Sequence, residues 1–182
     1  MKRKWIVLLC VSALSAALDQ WTKMLVHSRI PLARHVPVVQ GFFDLVHVRN
    51  RGGAFGLFAG MDASLRGPVF LVLSIAAIAL VVGMIRKAPD DRWGLVTALS
   101  LVLGGAIGNL IDRIRLGEVI DFLDFYRGRY HWPAFNVADV AIVVGVGILM
   151  IDLVRHPDAD DRSRALDGDA APTPPRVPSD AS

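Results

Sequence analysis

Apolar residues in this chain come in blocks of about twenty rather than in alternation. Four such blocks can be drawn, from about Trp5 to Val26, Gly67 to Ile85, Trp93 to Ile111 and Pro133 to Val154. At 1.5 Å of rise per residue, each is long enough to cross a hydrocarbon core of about 30 Å. The pattern predicts an α-helical integral membrane protein with four transmembrane helices. Pro133 suits the first turn of a helix, where its missing N–H costs nothing. Gly104, Gly105, Gly108, Gly145 and Gly147 mark the third and fourth blocks as partners, because small residues let helix backbones approach closely in lipid.

Between the first two blocks the pattern changes. Residues 27–66 hold the alternating run Phe43-Asp44-Leu45-Val46-His47-Val48, then Arg49-Asn50-Arg51-Gly52-Gly53-Ala54-Phe55. Alternation with β-branched residues predicts strands, and the glycine pair predicts a tight turn or a close backbone approach. This segment is expected to form a small extracytoplasmic β-structured platform between helices 1 and 2. Residues 155–182 are rich in Asp, Pro and Ala with almost no large apolar side chains, as in a disordered cytoplasmic tail. The expected organisation is a four-span membrane domain over residues 1–154, followed by that tail.

Composition agrees with this division. The 182 residues are 53% hydrophobic and 20% charged, with a net charge of +3 and no basic run interleaved with aromatics, which excludes a nucleic-acid partner. The single cysteine, Cys10, rules out an internal disulfide and lies in an apolar run, where a small buried hydrophobe is expected. Lys2-Arg3-Lys4, an apolar run and Ser15-Ala16-Ala17 imitate a cleavable signal peptide. The polar group just beyond them, Asp19, Gln20, Thr22 and Lys23, argues instead for a retained first span. With both termini inside, ten Lys and Arg fall on the cytoplasmic side and nine on the other, so the bulk count decides nothing. The rule weighs short segments beside spans, and the first helix usually dominates. Lys2-Arg3-Lys4 and the short Arg86–Arg92 turn place both termini in the cytoplasm.

Two polar clusters sit where a membrane segment should be apolar. One is Gly108-Asn109-Leu110-Ile111-Asp112-Arg113, running on to Val119-Ile120-Asp121-Phe122; the other is Phe135-Asn136-Val137-Ala138-Asp139. Ionisable groups at membrane depth are costly and mark functional sites. Asp121 alone reads equally well as a loop acid. Asp139, six residues past Pro133 and followed by Val140, Ala141, Ile142 and Val143, needs a partner or water. A gap of 18 residues separates the two acids, long enough to bring them together. Two carboxylates side by side share one proton, and such a pair can activate water. Asn109 and Arg113 share a helical face, Asp112 and Arg113 can pair with each other or with neighbours, and Asn136 shares a face with Asp139. Asp19 and Lys23, four residues apart, read as a structural ion pair closing the first helix. Asp124 is expected to face the interfacial side of its loop. The histidines His27, His35, His47, His131 and His156 lack ligand-like spacing, so no metal and no cofactor are expected.

On these residues the chain resembles the lipoprotein signal peptidases (signal peptidase II), the membrane aspartic proteases of bacteria. The blocks that carry the resemblance are Asp19-Gln20-Trp21-Thr22-Lys23, Asn50-Arg51-Gly52-Gly53-Ala54-Phe55, Gly108 to Arg113 with Val119-Ile120-Asp121-Phe122, and Phe135-Asn136-Val137-Ala138-Asp139. The family often has Ala where Gly53 stands. The resemblance implies that Asp121 and Asp139 are the catalytic dyad. It further implies that Asn109, Asp112, Arg113 and Asn136 line the site and that Asn50 and Gly53 lie near the substrate, with Asp19 and Lys23 in support. The implied reaction is removal of signal peptides from diacylglyceryl-modified prolipoproteins, cut just before the lipidated cysteine. The implied setting is the bacterial inner membrane, with a monomer meeting its lipid-modified substrate and membrane lipids near the extracytoplasmic face. The competing reading is a small proton-coupled transporter or channel; the four spans show no internal repeat, and its acids would belong at the midplane. A non-enzymatic scaffold would not require paired acids at all.

Overall fold

A computed structural model describes residues 3–52 and 61–156, and within them the chain forms four helices and four strands. In chain order these are α1 (Arg3–Arg29), β1 (His35–Val39), β2 (Phe43–Asn50), α2 (Ala63–Lys87), α3 (Trp93–Leu116), β3 (Val119–Arg127), β4 (Tyr130–His131) and α4 (Val137–Arg155). All four helices are long and apolar enough to cross a membrane. Gly53 and the tail from residue 157 lie outside the described residues.

The third helix is the axis of the bundle, and α1, α2 and α4 all pack on it. Lipid tails are as apolar as leucine, so burial does not drive this association; close backbone packing and polar contacts do. A Cβ on Gly105 would strike the Ala138 carbonyl of α4, and one on Gly145 would lie 2.7 Å from the Ala98 carbonyl of α3. The expected α3–α4 pairing is therefore built from glycine on both sides. At one end of the bundle Leu8, Val81, Ile85, Leu99 and Leu103 form an apolar core. That end is tied by Lys4, which donates to the Ala88 carbonyl and pairs with Asp90, and by an Arg92–Asp152 ion pair.

At the other end sits the sheet, antiparallel throughout, in the order β1-β2-β3-β4. The platform expected between the first two helices is present as β1 and β2, but half of it comes from the segment after α3. Gly117 takes a left-handed φ of 74° and its N–H closes on the Arg113 carbonyl. That cap ends α3 and turns the chain straight into β3. Val26, Ile120 and Phe122 join sheet to bundle in a second buried cluster.

Three expectations change. The fourth helix starts at Val137, not Pro133, because residues 132–135 extend the sheet: Trp132 N–H donates to Phe125, and Phe135 exchanges backbone hydrogen bonds with Leu123. Asp139 therefore lies in the first turn of α4 rather than two turns down. Asp124 does not face the interface but is 4% exposed, within the sheet. Cys10 is exposed on the outside of α1 rather than buried.

If the glycine seam sets the helix spacing, Gly105→Val should cost about 1–3 kcal/mol by overpacking. Gly147→Ala, whose added Cβ meets nothing within 4 Å, should cost nothing. Thermal unfolding in detergent checks both; equal midpoints for Gly105→Val and the wild type would mean the seam can open freely.

Candidate active site

The centre of the polar network is Lys23, which is 2% exposed. Its ammonium lies 2.8 Å from Asp19 Oδ2 and 3.0 Å from Asp112 Oδ2, and donates to Asn109 Oδ1 at 2.9 Å. A buried charge is tolerable only when paired and fully hydrogen-bonded, and the surroundings meet that condition. Gln20 donates to Asp112 Oδ1 and to the Gly108 carbonyl, and the Ile120 N–H donates to Asp112 Oδ2.

Asp19 does more than pair with Lys23. Its Oδ1 accepts the Ala138 N–H at 2.9 Å, one of the otherwise unpartnered donors at the start of α4. A carboxylate of one helix thus caps another, where the helix dipole favours negative charge. Gly108 makes room for it: a Cβ there would stand 2.5 Å from Asp19 Oδ2. The expected role of Asp19 and Lys23, closing α1, is too local; the pair ties α1 to α3 and α4.

From Lys23 the network runs outward to the two acids. Asn109 Nδ2 donates to Asp139 Oδ1 at 2.9 Å. Asn136 is the N-cap of α4 and closes a reciprocal capping box: its Oδ1 accepts the Asp139 N–H, and its own N–H donates to Asp139 Oδ2. The same side chain donates through Nδ2 to Asp121 Oδ1 at 2.7 Å. One asparagine, with no exposed surface, thereby joins Asp121 on β3 to Asp139 on α4.

Asn50 completes the set. In the β2–β3 register it stands opposite Val119, two residues from Asp121, so the two side chains are diagonal neighbours on one face. Its Nδ2 donates to Asp121 Oδ2 at 3.0 Å, while its Oδ1 accepts the Gly52 N–H. Gly52 takes a left-handed φ of 94°, in the segment where the glycine pair predicts a tight turn. Asp121 is thus held at both oxygens, yet its pKa is raised to about 7, first by burial and then by the charge of Asp139.

Both acids face one cavity of about 650 Å³. Asn50, Gly52, Arg66, Phe70, Arg113 and Trp132 are among its other walls. Arg113 donates to the Asn109 carbonyl and lies over the Phe70 ring, 5.8 Å from its centroid. Sequence reasoning singled out Arg113 but not Arg66, Phe70 or Trp132. An arginine or aromatic near a span end reads as an ordinary interfacial anchor, and nothing in its spacing says that it faces a cavity. Two carboxylates, one easily protonated, at the wall of one such cavity form an arrangement suited to general acid–base attack by water.

Comparison with known proteins gives the same direction. A family model described as signal peptidase (SPase) II matches residues 11–155. A lipoprotein signal peptidase of Geobacter sulfurreducens is 49% identical over 142 residues, covering 78% of this chain and 88% of that protein. Another, of Geobacter metallireducens, is 44% identical and covers 92% of this chain and 99% of its own length. A solved structure described as a bacterial membrane enzyme superposes with a TM-score of 0.72 at 25% identity, covering 93% of this chain and 94% of the other.

Replacing Lys23 by Met should leave the Asp19 and Asp112 carboxylates buried without their cation, at a cost of about 3–5 kcal/mol. The measurement is thermal unfolding of the inserted protein in detergent. A midpoint equal to that of the wild type would remove Lys23 from the centre of the network.

Proposed function

The chain belongs to the signal peptidase II family, and from that premise we propose that Asp121 and Asp139 are its catalytic dyad. As a member it is a multi-pass membrane aspartic protease that removes signal peptides from prolipoproteins. The observation that carries the dyad is Asn136, bonded at once to both carboxylates at the wall of the same cavity.

In the proposed reaction Asp121 enters protonated, as its raised pKa favours, and Asp139 enters as the carboxylate. Asp139 takes a proton from a water between them while the water oxygen attacks the scissile carbonyl carbon, and Asp121 protonates the carbonyl oxygen. Collapse of the tetrahedral diol breaks the C–N bond: the proton held by Asp139 goes to the departing amine, and Asp121 takes back one hydroxyl proton as the new carbonyl forms. Asn109 and Asn136 hold Asp139, and Asn50 and Asn136 hold Asp121. Lys23, paired with Asp19 and Asp112, fixes Asn109 and through it Asn136, and Arg113 supplies positive charge to the cavity wall. Gly53 is assigned to the substrate groove through its family block alone.

The proposed substrate is a prolipoprotein already carrying diacylglycerol, cleaved just before the lipidated cysteine. The proposed setting is the bacterial inner membrane, with both termini cytoplasmic and the sheet on the extracytoplasmic face. Leu32, Val36, Val38, Val39 and Phe42 are all exposed on or beside β1, which supports contact of that edge with membrane lipid. A monomer suffices, since α1, α3, α4, β2 and β3 of one chain supply every group assigned a role in the dyad and its support. Residues 1–154 are proposed to contain the whole peptidase.

Asp121→Asn and Asp139→Asn should each abolish cleavage of a lipidated precursor by purified protein, in the full chain and in one ending at His156 alike. Substantial turnover by either variant would end the assignment. For the wild type, kcat/KM should fall tenfold per pH unit once the pH rises through about 7, as Asp121 loses its proton. The raised value also fixes the sign for stability. The contribution of Asp121 is fully present below its unfolded value of 3.8 and is lost as the pH climbs through about 7.

Orientation has its own test. In a Cys10→Ser background, an impermeant thiol reagent added from outside should label Gln40→Cys in the β1–β2 turn but not Pro89→Cys in the α2–α3 turn. The reverse pattern would invert the topology.

A further inference from the structure

A second cluster of ionisable groups lies on the sheet, away from the dyad. Asp44 of β2 and Asp124 of β3 are directly opposite each other in the register, 7% and 4% exposed. Like charges directly opposite on neighbouring strands are destabilising. Among the described residues no Lys or Arg forms an ion pair with either; their partners are two histidines, one from each outer strand. His35 of β1 stands diagonally from Asp44, because Asp44 pairs with Pro37, and His131 of β4 stands diagonally from Asp124, because Tyr126 pairs with His131. A His–Asp–Asp–His stripe thus crosses all four strands. The wide sequence gaps between its members hid it, since only the register brings them together.

We propose that His35, Asp44 and Asp124 form a Zn²⁺-binding site on the sheet. One ligand atom from each lies within 4.8 Å of the others. His35 Nδ1 is 3.6 Å from Asp44 Oδ2 and 3.8 Å from Asp124 Oδ2. With metal–ligand bonds of 2.0–2.2 Å, the edge of a tetrahedron is about 3.4 Å, so the two edges at His35 need shifts of only a few tenths of an ångström, and the carboxylate edge, within 4.8 Å, one of at most about 1.4 Å. An imidazole with two carboxylates suits Zn²⁺ better than Ca²⁺ or Mg²⁺, which prefer all-oxygen sets. Water fills the remaining position.

The outer shell is in place too. Tyr126 Oη donates to Asp44 Oδ1 at 3.1 Å and itself accepts the Gly41 N–H, which leaves Asp44 Oδ2 for the ion. His131 Nδ1 lies 2.9 Å from Asp124 Oδ2, orienting that carboxylate. Such partners set ligand orientation and affinity. The side chains of His35 and His131 are 52% and 46% exposed, so an ion can enter from solvent. Bound there, Zn²⁺ would fasten β1, β2 and β3 together and remove the repulsion between the two acids.

The test uses the full chain in detergent, free of affinity tag, stripped with chelator and titrated with ZnCl₂. Bound metal is counted by equilibrium dialysis. The expected result is one Zn²⁺ per chain and a higher thermal midpoint in its presence. His35→Gln should abolish stoichiometric binding, and His131→Gln should weaken it by about 10–100-fold. His27→Gln, on the exposed side of α1, should change nothing. Both His35 and His131 are half exposed, so their variants keep the fold, which circular dichroism verifies. Absence of stoichiometric Zn²⁺ on the wild type, or binding that survives His35→Gln undiminished, would overturn the site.

Discussion

One ammonium group inside a lipid-embedded bundle sets the terms for the rest of this structure. Lys23 cannot sit there without anions, and the two it has, Asp19 and Asp112, come from different helices. Each anion then needs donors for its remaining oxygens, and the donors lie on further elements: the Ala138 N–H at the start of α4 and the Ile120 N–H at the start of β3. Satisfying one charge therefore fixes where α1, α3, α4 and β3 meet. The acids at the cavity wall are the outer edge of that arrangement, reached through Asn109 and Asn136. An enzyme that must hold two carboxylates close together gains from such a frame, because their mutual repulsion has nothing soft to push against.

Helices and sheet divide the work. The helices supply close packing through glycine, at Gly105 and Gly145 for the backbone and at Gly108 for a carboxylate. The sheet supplies register. Asn50 reaches Asp121 only because β2 and β3 pair with Asn50 opposite Val119. Neither element alone carries both acids: Asp121 belongs to β3 and Asp139 to α4.

Much of this was legible in the residues. Spans appear as apolar blocks because lipid enforces helical hydrogen bonding over a fixed thickness, and polar residues inside or beside those blocks stand out for the same reason. Asp19, Lys23, Asn109, Asp112, Asn136 and Asp139 were visible on that ground, and their partners at three and four residues could be guessed. What could not be read was anything decided by strand pairing. The segment after α3 carries no sign that it completes the sheet begun before α2, so nothing in the sequence turns Asp124 away from the interface. Pro133 fits a helical first turn by its ring, but the capping side chain three residues later sets the start of α4. Arg66 and Phe70 on α2 became cavity walls only through tertiary placement.

The sheet's connectivity has a consequence for assembly. Asn50 and Val119 pair across two complete membrane passes, so β3 does not exist as a chain segment until α2 and α3 have been made. Closing so long a loop would be entropically costly for a free chain. Here two antiparallel spans return the chain to the side it left, and most of that cost has already been met by insertion. The acid on α4 arrives later still. During synthesis, then, the two carboxylates cannot meet until the last helix has entered the bilayer, and a partly inserted chain lacks the paired acids proposed as its dyad.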